Sequence, residues 1–120
     1  MLTSYVMLDS TTHGIPSGNY DGSSLAFEGN VVTAANFYQG LGDLQTVIIR
    51  VTGFVGKIII RATLNNEYQS AVWFDADEFG DYVHPFTGVF SLNIRGNFVW
   101  MKPDIIDFAA GTIDSITITY

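Results

Sequence analysis

"LQTVIIRVTGFVGKIIIRATL", residues 44–64, decides the fold. It reads as two strands, near 44–52 and 57–64, joined through Gly53-Phe54-Val55-Gly56. The flanking glycines tolerate the positive φ values that a tight reversal needs. Val47, Ile49 and Val51 form one apolar row, and Ile58, Ile60, Ala62 and Leu64 form another. Ile48 and Ile59 fall on the opposite face beside Arg50, Lys57 and Arg61. A period of two with β-branched side chains is the mark of strands, not helices.

The same pattern spreads outward. In "TGVFSLNIRG" (87–96), Phe90, Leu92 and Ile94 alternate with Ser91, Asn93 and Arg95. In "SITITY" (115–120), Ile116, Ile118 and Tyr120 alternate with Ser115, Thr117 and Thr119. "TSYVML", "SLAFEG" and "NVVTAANFY" are further expected strands. "DSTTHGIPSGNYDGSS" (9–24) and "FDADEFGDYVHP" (74–85) read as long connections, the first crowded with turn residues. About eight short strands with little helical periodicity imply an all-β chain: a two-sheet antiparallel β-sandwich, jelly-roll-like, as one domain over residues 1–120.

"GNFVWMKPDIIDF" (96–108) is apolar on both faces, so it is expected to lack a solvent face. Phe98 and Trp100 are assigned to the core, with Val99 and Met101 toward another layer or subunit, although parity alone leaves that choice open. Pro103 has no N–H, so regular pairing should stop near Lys102. "VTGFVGKIII" and "IIDFAAGTIDSI" echo each other, phenylalanine before glycine before isoleucine. They read either as two related hairpins or as ordinary strand-turn chemistry.

Composition narrows the function. Twelve acidic residues against five basic ones give a net charge of −7, which leaves no basic patch for nucleic acid or an anionic membrane surface. With 14% charged and 48% hydrophobic residues, the chain has the balance of an assembled subunit. It has no cysteine, so disulfides and thiolate metal sites are out. The N-terminal stretch lacks the form of a secretory signal, and no run is long enough for a membrane helix, so a soluble protein is expected.

No set of residues requests a catalytic mechanism, so no enzyme and no cofactor are expected. Asp75, Asp77, Glu78 and Asp81 surround Gly80 and half-match a calcium loop, with Asp75, Asp77 and Asp81 as weak ligands. The match fails where Phe79 and Phe86 stand in place of oxygen ligands, and a surface acidic loop is the plainer reading. His13 and His84, the two histidines, read as solvated loop residues. Tyr20, Tyr68 and Tyr82 are candidate platforms for a sugar ring, whereas Trp73 and Trp100 read as core anchors.

Residues 25–120 also carry an ordered set of motifs: Phe54 and Gly56; Ala62-Thr63-Leu64; Trp73-Phe74-Asp75; Gly96-Asn97-Phe98 with Trp100; and Phe108 with Gly111-Thr112-Ile113. Ala34-Ala35 and Phe37-Tyr38 precede a glycine-rich turn at Gly40 and Gly42. This order resembles a repeated β-sandwich module in virion structural proteins of contractile-tailed marine cyanophages and related phages. Two features depart from that pattern. Lys102 and Pro103 stand where the family has an Arg-Ala pair, and a single module beginning at a methionine stands where the family strings several.

The resemblance implies a non-enzymatic bacteriophage virion protein of the capsid, neck or tail appendage, assembled in the host cytoplasm beside other virion proteins. A homo-oligomer is expected, with Ile48, Ile59, Val99 and Met101 as its interface. The alternative is a carbohydrate-binding jelly-roll module for host-surface recognition, built on the loop tyrosines and the acids of 75–81.

Overall fold

Three strands of unusual length carry the molecule. The computed structural model describes residues 4–34, 44–65, 67 and 72–120. β5 (Leu44–Thr63) lies in the middle, with β6 (Phe74–Arg95) on one side and β7 (Trp100–Thr119) on the other, both antiparallel to it. The outer edge of β7 is lined by four short strands, β1 (Ser4–Leu8), β2 (Thr11–Thr12), β3 (Phe27–Glu28) and β4 (Val32–Thr33). All the described strands therefore belong to one open antiparallel sheet, in the order β1-β7-β5-β6. The all-β class agrees with the alternation seen in the sequence, and no helix occurs among the described residues.

A straight strand of twenty residues would be about 66 Å long, yet the longest dimension of the molecule is 41 Å. The strands must bend, and they do so along one crease. On β5 the register shifts between Val51 and Gly56. Opposite it, Phe54 faces Phe86 while Gly56 faces Asp81, so residues 82–85 bulge from β6. On β7, Val55 faces Ala110 while Lys57 faces Ile106, so residues 107–109 bulge there. Gly53, Gly56, Gly80, Gly88, Gly111 and Asp107 all take positive φ along this line. A Cβ at Gly111 would run into the carbonyl of Gly53, and one at Gly80 into that of Gly56. The backbones of neighbouring strands touch here, and only glycine allows it.

The crease folds the sheet back on itself. The rings of Phe79 and Phe90, eleven residues apart on β6, have centroids 4.7 Å apart. Gln45 and Thr63 lie near opposite ends of β5, yet Gln45 Nε2 donates to the carbonyl of Gly96 and the Thr63 carbonyl accepts from Val99 N–H. The link from Arg95 to Trp100 is at most about 18 Å long, which fixes how closely the two ends approach. Val47, Ile49 and Val51 from one half and Ile58, Ile60 and Ala62 from the other fill one core, their parity switching across Gly53. Phe54 and Phe108 are fully buried on the crease with centroids 5.8 Å apart. Each fully buried phenylalanine contributes about 2–3 kcal/mol of transfer free energy.

Several expectations change. Residues 53–56 do not reverse the chain: β5 runs through them with the same two neighbours on either side. Glycines at positive φ serve a bend as well as a hairpin, and the pairing partners decide between them. The two echoing segments are accordingly adjacent crease positions on β5 and β7. Residues 74–85 belong to β6 and are not a free connection.

Met101 is 0% exposed and sits in the core, whereas Trp100 is partly exposed, so these two exchange roles; Phe98 packs against the core while partly exposed, and Val99 is buried outside the main core. Pairing also continues through Pro103, which faces Ile60. The Pro103 carbonyl accepts from Gly29 N–H on the outer side of β7. In an antiparallel strand the N–H and C=O of one residue point the same way. The missing donor of Pro103 therefore falls in the gap between β3 and β4, where no ladder needs it. Residues 35–38 of the expected strand "NVVTAANFY" and the turn at Gly40 and Gly42 lie outside the described residues.

Candidate interaction site

β6 is an edge strand: β5 pairs with one side, and among the described residues no strand pairs with the other. Its two halves differ in chemistry. The first carries Asp75, Asp77, Glu78 and Asp81. Asp77 Oδ1 accepts from Glu78 N–H and Asp81 Oδ1 from Val83 N–H, so these acids occupy local backbone donors themselves. Residues 86–94, Phe-Thr-Gly-Val-Phe-Ser-Leu-Asn-Ile, have no charged side chain. Val89 is 62% exposed, and Phe79, Phe86, Phe90 and Leu92 are only partly buried against the core. Phe79, Phe86 and Phe90 form one aromatic cluster, with centroid separations of 4.7 to 6.0 Å. An open edge beside partly exposed rings is the usual address for an added strand.

The outer face of the other half is a ladder of charges. Arg61 Nε lies 2.7 Å from Asp104 Oδ2 and 3.4 Å from Asp75 Oδ1. Lys102 Nζ lies 2.7 Å from Glu28 Oε1 and 4.0 Å from Asp104 Oδ1, and 4.8 Å from the centroid of the Trp73 ring. Lys57 meets Glu78 at 3.2 Å. Arg61 approaches Asp104 off its N–H axis, so that contact is ionic and not a hydrogen bond. The Asp104 side chain is 14% exposed. Burial pushes its carboxyl above the ordinary carboxylate range, Lys102 and Arg61 pull it back, and Glu28 and Asp75 push it further up. The pairs that reach solvent, Lys57–Glu78 and Arg61–Asp75, contribute about 0–1 kcal/mol each.

Of the expected interface residues, Met101 and Val99 are enclosed by the chain itself. Ile59 is 8% exposed outside the main core, with Glu78 and Asp104 opposite it and Lys57 and Arg61 two residues to either side. Ile48 is partly exposed between Ser91 and Thr117. The four do not form one patch.

Tyr20 is not a platform. It is 2% exposed, its ring stands 5.0 Å from Phe27 and 5.3 Å from Phe108, and its hydroxyl accepts from Gly14 N–H. Tyr68 and the side chain of Tyr82 lie outside the described residues. Asp75, Asp77 and Asp81 are spread along β6, and among the described residues no three acidic or histidine side chains converge on a metal-sized space. His84 Nδ1 pairs with Asp81 at 3.0 Å on the surface, and His13 stands edge-on to Phe108 at 5.2 Å.

Sequence reasoning missed two features. The open edge had a signal, the uncharged run 86–94 beside an acidic one. The second is a polar cleft of about 120 Å³ between β1 and the 9–24 loop, lined by Leu8, Asp9, Ser10, Thr11, Ser17, Gly18, Asn19 and Asn30. Its residues come from three separate stretches, and no local pattern joins them. Comparisons of the chain with protein-family models, with curated proteins and with solved structures find no match.

Proposed function

We propose that the chain is a non-enzymatic structural protein of a bacteriophage virion, a capsid, neck or tail-appendage subunit that acts by protein–protein assembly. The ordered motifs of residues 25–120, which resemble the modules of contractile-tailed marine cyanophage proteins, support the virion reading. In this reading the creased sheet serves as the two layers of a jelly-roll-like sandwich, and the subunit joins further copies and other virion proteins after synthesis in the host cytoplasm. The assembly reading rests on one observation, the uncharged half of the β6 edge. A long open edge beside exposed apolar side chains invites aggregation unless something specific covers it.

Light scattering on a sizing column tests this. The expected result is a defined multimer that falls to the monomer mass with Val89→Lys, because a charge on an edge strand blocks strand addition. A wild-type monomer throughout the micromolar range, or a Val89→Lys mass equal to wild type, would sink the edge assignment. Ile59→Glu in the same assay probes the outer face; an unchanged mass removes that face from the interface.

A further inference from the structure

One peptide bond joins two residues whose side chains make it chemically fragile. Asp21-Gly22 is the one place in the chain where an aspartate or asparagine precedes a glycine. At such a bond the glycine nitrogen, with no Cβ beside it to crowd the approach, attacks the aspartate Cγ. An N–Cγ bond forms, the Cγ–OH bond breaks and water leaves, which closes a five-membered succinimide. Water then adds at one or the other carbonyl and returns aspartate or isoaspartate, with no oxidant or co-reactant. The electrophile is the neutral carboxyl, because an ionised one resists the nucleophile.

In the folded loop that carboxyl is clamped. Asp21 Oδ2 accepts from the Ser24 hydroxyl at 2.6 Å, and Oδ1 accepts from Ser23 N–H at 2.9 Å and Ser24 N–H at 2.7 Å. Hydrogen bonds to the ionised form favour it. Here they hold the carboxyl at about 2 instead of 3.8, the Ser24 hydroxyl contributing most. Above about pH 4 that difference lowers the neutral fraction roughly sixtyfold. Gly22 is held too: its φ is 92, and a Cβ there would lie 2.8 Å from the Pro16 ring. On the other side, Ser17 and Tyr20 exchange backbone hydrogen bonds at 2.9 and 3.0 Å, and the Tyr20 ring stands against Phe108. Asp21 itself is exposed, so the clamp, not burial, opposes the reaction.

We infer that Asp21-Gly22 is the site at which this chain is modified by isoaspartate formation, and that the donors of Ser23 and Ser24 hold the reaction in check while the loop is folded. Isoaspartate lengthens the main chain by one methylene beside Tyr20 and breaks the clamp, so the modification loosens the turn that Tyr20 ties to the core. The inference is independent of the virion reading.

The test holds the full chain at about pH 6, above both titrations, beside a synthetic peptide of residues 16–27 that is too short to fold. Isoaspartate is read over time by electron-transfer fragmentation, whose backbone fragments differ between the two isomers. The peptide should accumulate it at position 21 roughly sixtyfold faster than the folded chain, or more. Ser24→Ala removes the hydroxyl donor and leaves the backbone donors, so its rate should rise about five- to tenfold over wild type. Ser24→Thr should restore the slow rate. Ser24 lies outside the strands, so both variants keep the sheet. A Ser24→Ala rate equal to wild type would overturn the clamp, since rigidity of the loop would then suffice. A folded chain less than about tenfold slower than the peptide would overturn the protection, and isoaspartate appearing first at another position would overturn the site.

Discussion

At the scale of single residues, the crease is a set of backbone contacts that glycine alone permits. Gly111 and Gly53 both have positive φ, 86 and 60, but they differ in surroundings. An added Cβ at Gly53 meets nothing within 4 Å, whereas one at Gly111 strikes the Gly53 carbonyl. Gly53→Ala should cost about 1–2 kcal/mol from conformation alone, and Gly111→Ala about 3–4 kcal/mol from conformation plus clash. Urea unfolding of the two variants checks the difference; equal costs would mean that β5 and β7 separate easily at the crease. The sequence showed glycines and phenylalanines recurring together but not this contact, because the carbonyl that forbids a side chain at Gly111 lies on another strand.

Asp104 carries a second residue-level consequence, again decided by neighbours. Its carboxyl titrates above the usual range because burial outweighs Lys102 and Arg61. The folded state then holds that proton more tightly than the unfolded state. Its contribution to stability is complete below the unfolded pKa and is lost as pH rises through the folded one. Asp104→Asn should therefore flatten the decline in stability from about pH 4 upward, without lowering stability at pH 7. A steeper decline in the variant would show that the ion pairs outweigh burial. Asp21 has the opposite sense. Hydrogen bonds from Ser24 and Ser23 hold its carboxyl at about 2, so its small, solvent-exposed contribution is lost as pH falls from 3.8 toward that value.

At the scale of elements, the strands were legible and their connections were not. Alternation in "TGVFSLNIRG" and "SITITY" marks which face is inward, and Ile94, Ile116 and Ile118 are buried accordingly. Alternation reports a strand's face but not its neighbour, so the glycines of 53–56 fitted a hairpin as well as a bend. Met101 shows the same limit: with apolar residues on both parities, only the register opposite Ala62 and Val32 determines which side is core. The acids of 75–81 looked like loop residues because acids are depleted in strands; here they sit on an edge half, where charge is tolerated. The cleft was illegible because Asp9, Ser17 and Asn30 meet only after the loop has folded against β1.

The sheet order itself predicts a gradient of protection. β5 has neighbours on both sides and fully buried residues on both sides of the crease. Its amides at 47–51 and 58–62 should exchange at rates approaching global unfolding, whereas amides on the open side of β6 exchange by local opening, faster by about tenfold or more. Hydrogen exchange with residue resolution distinguishes these classes. Protection of the 88–94 amides that rises with protein concentration would place the self-association contact on that edge; protection independent of concentration would put another segment of the same chain there.

At the scale of the whole molecule, charge and edge chemistry oppose each other, and salt separates them. In the proposed assembly, two copies, each carrying −7, repel at long range, while their uncharged runs 86–94 would pair through backbone and apolar contact. An antiparallel join of two such runs about a twofold axis near Ser91 sends the acidic halves of β6 to opposite ends. Association then meets only diffuse repulsion between whole molecules. That repulsion reaches about 30 Å at 0.01 M salt and about 8 Å at 0.15 M, while strand pairing is nearly indifferent to salt. Self-association measured by light scattering should therefore strengthen as salt is raised across that range, and strengthen again as pH falls toward the isoelectric point near 4.3. Weakening with salt would mean that opposite charges make the contact. The exposed partners of the outer ladder, Glu78 and Glu28, would then be the groups in play, and the β6 edge would lose its claim as the surface through which the chain assembles.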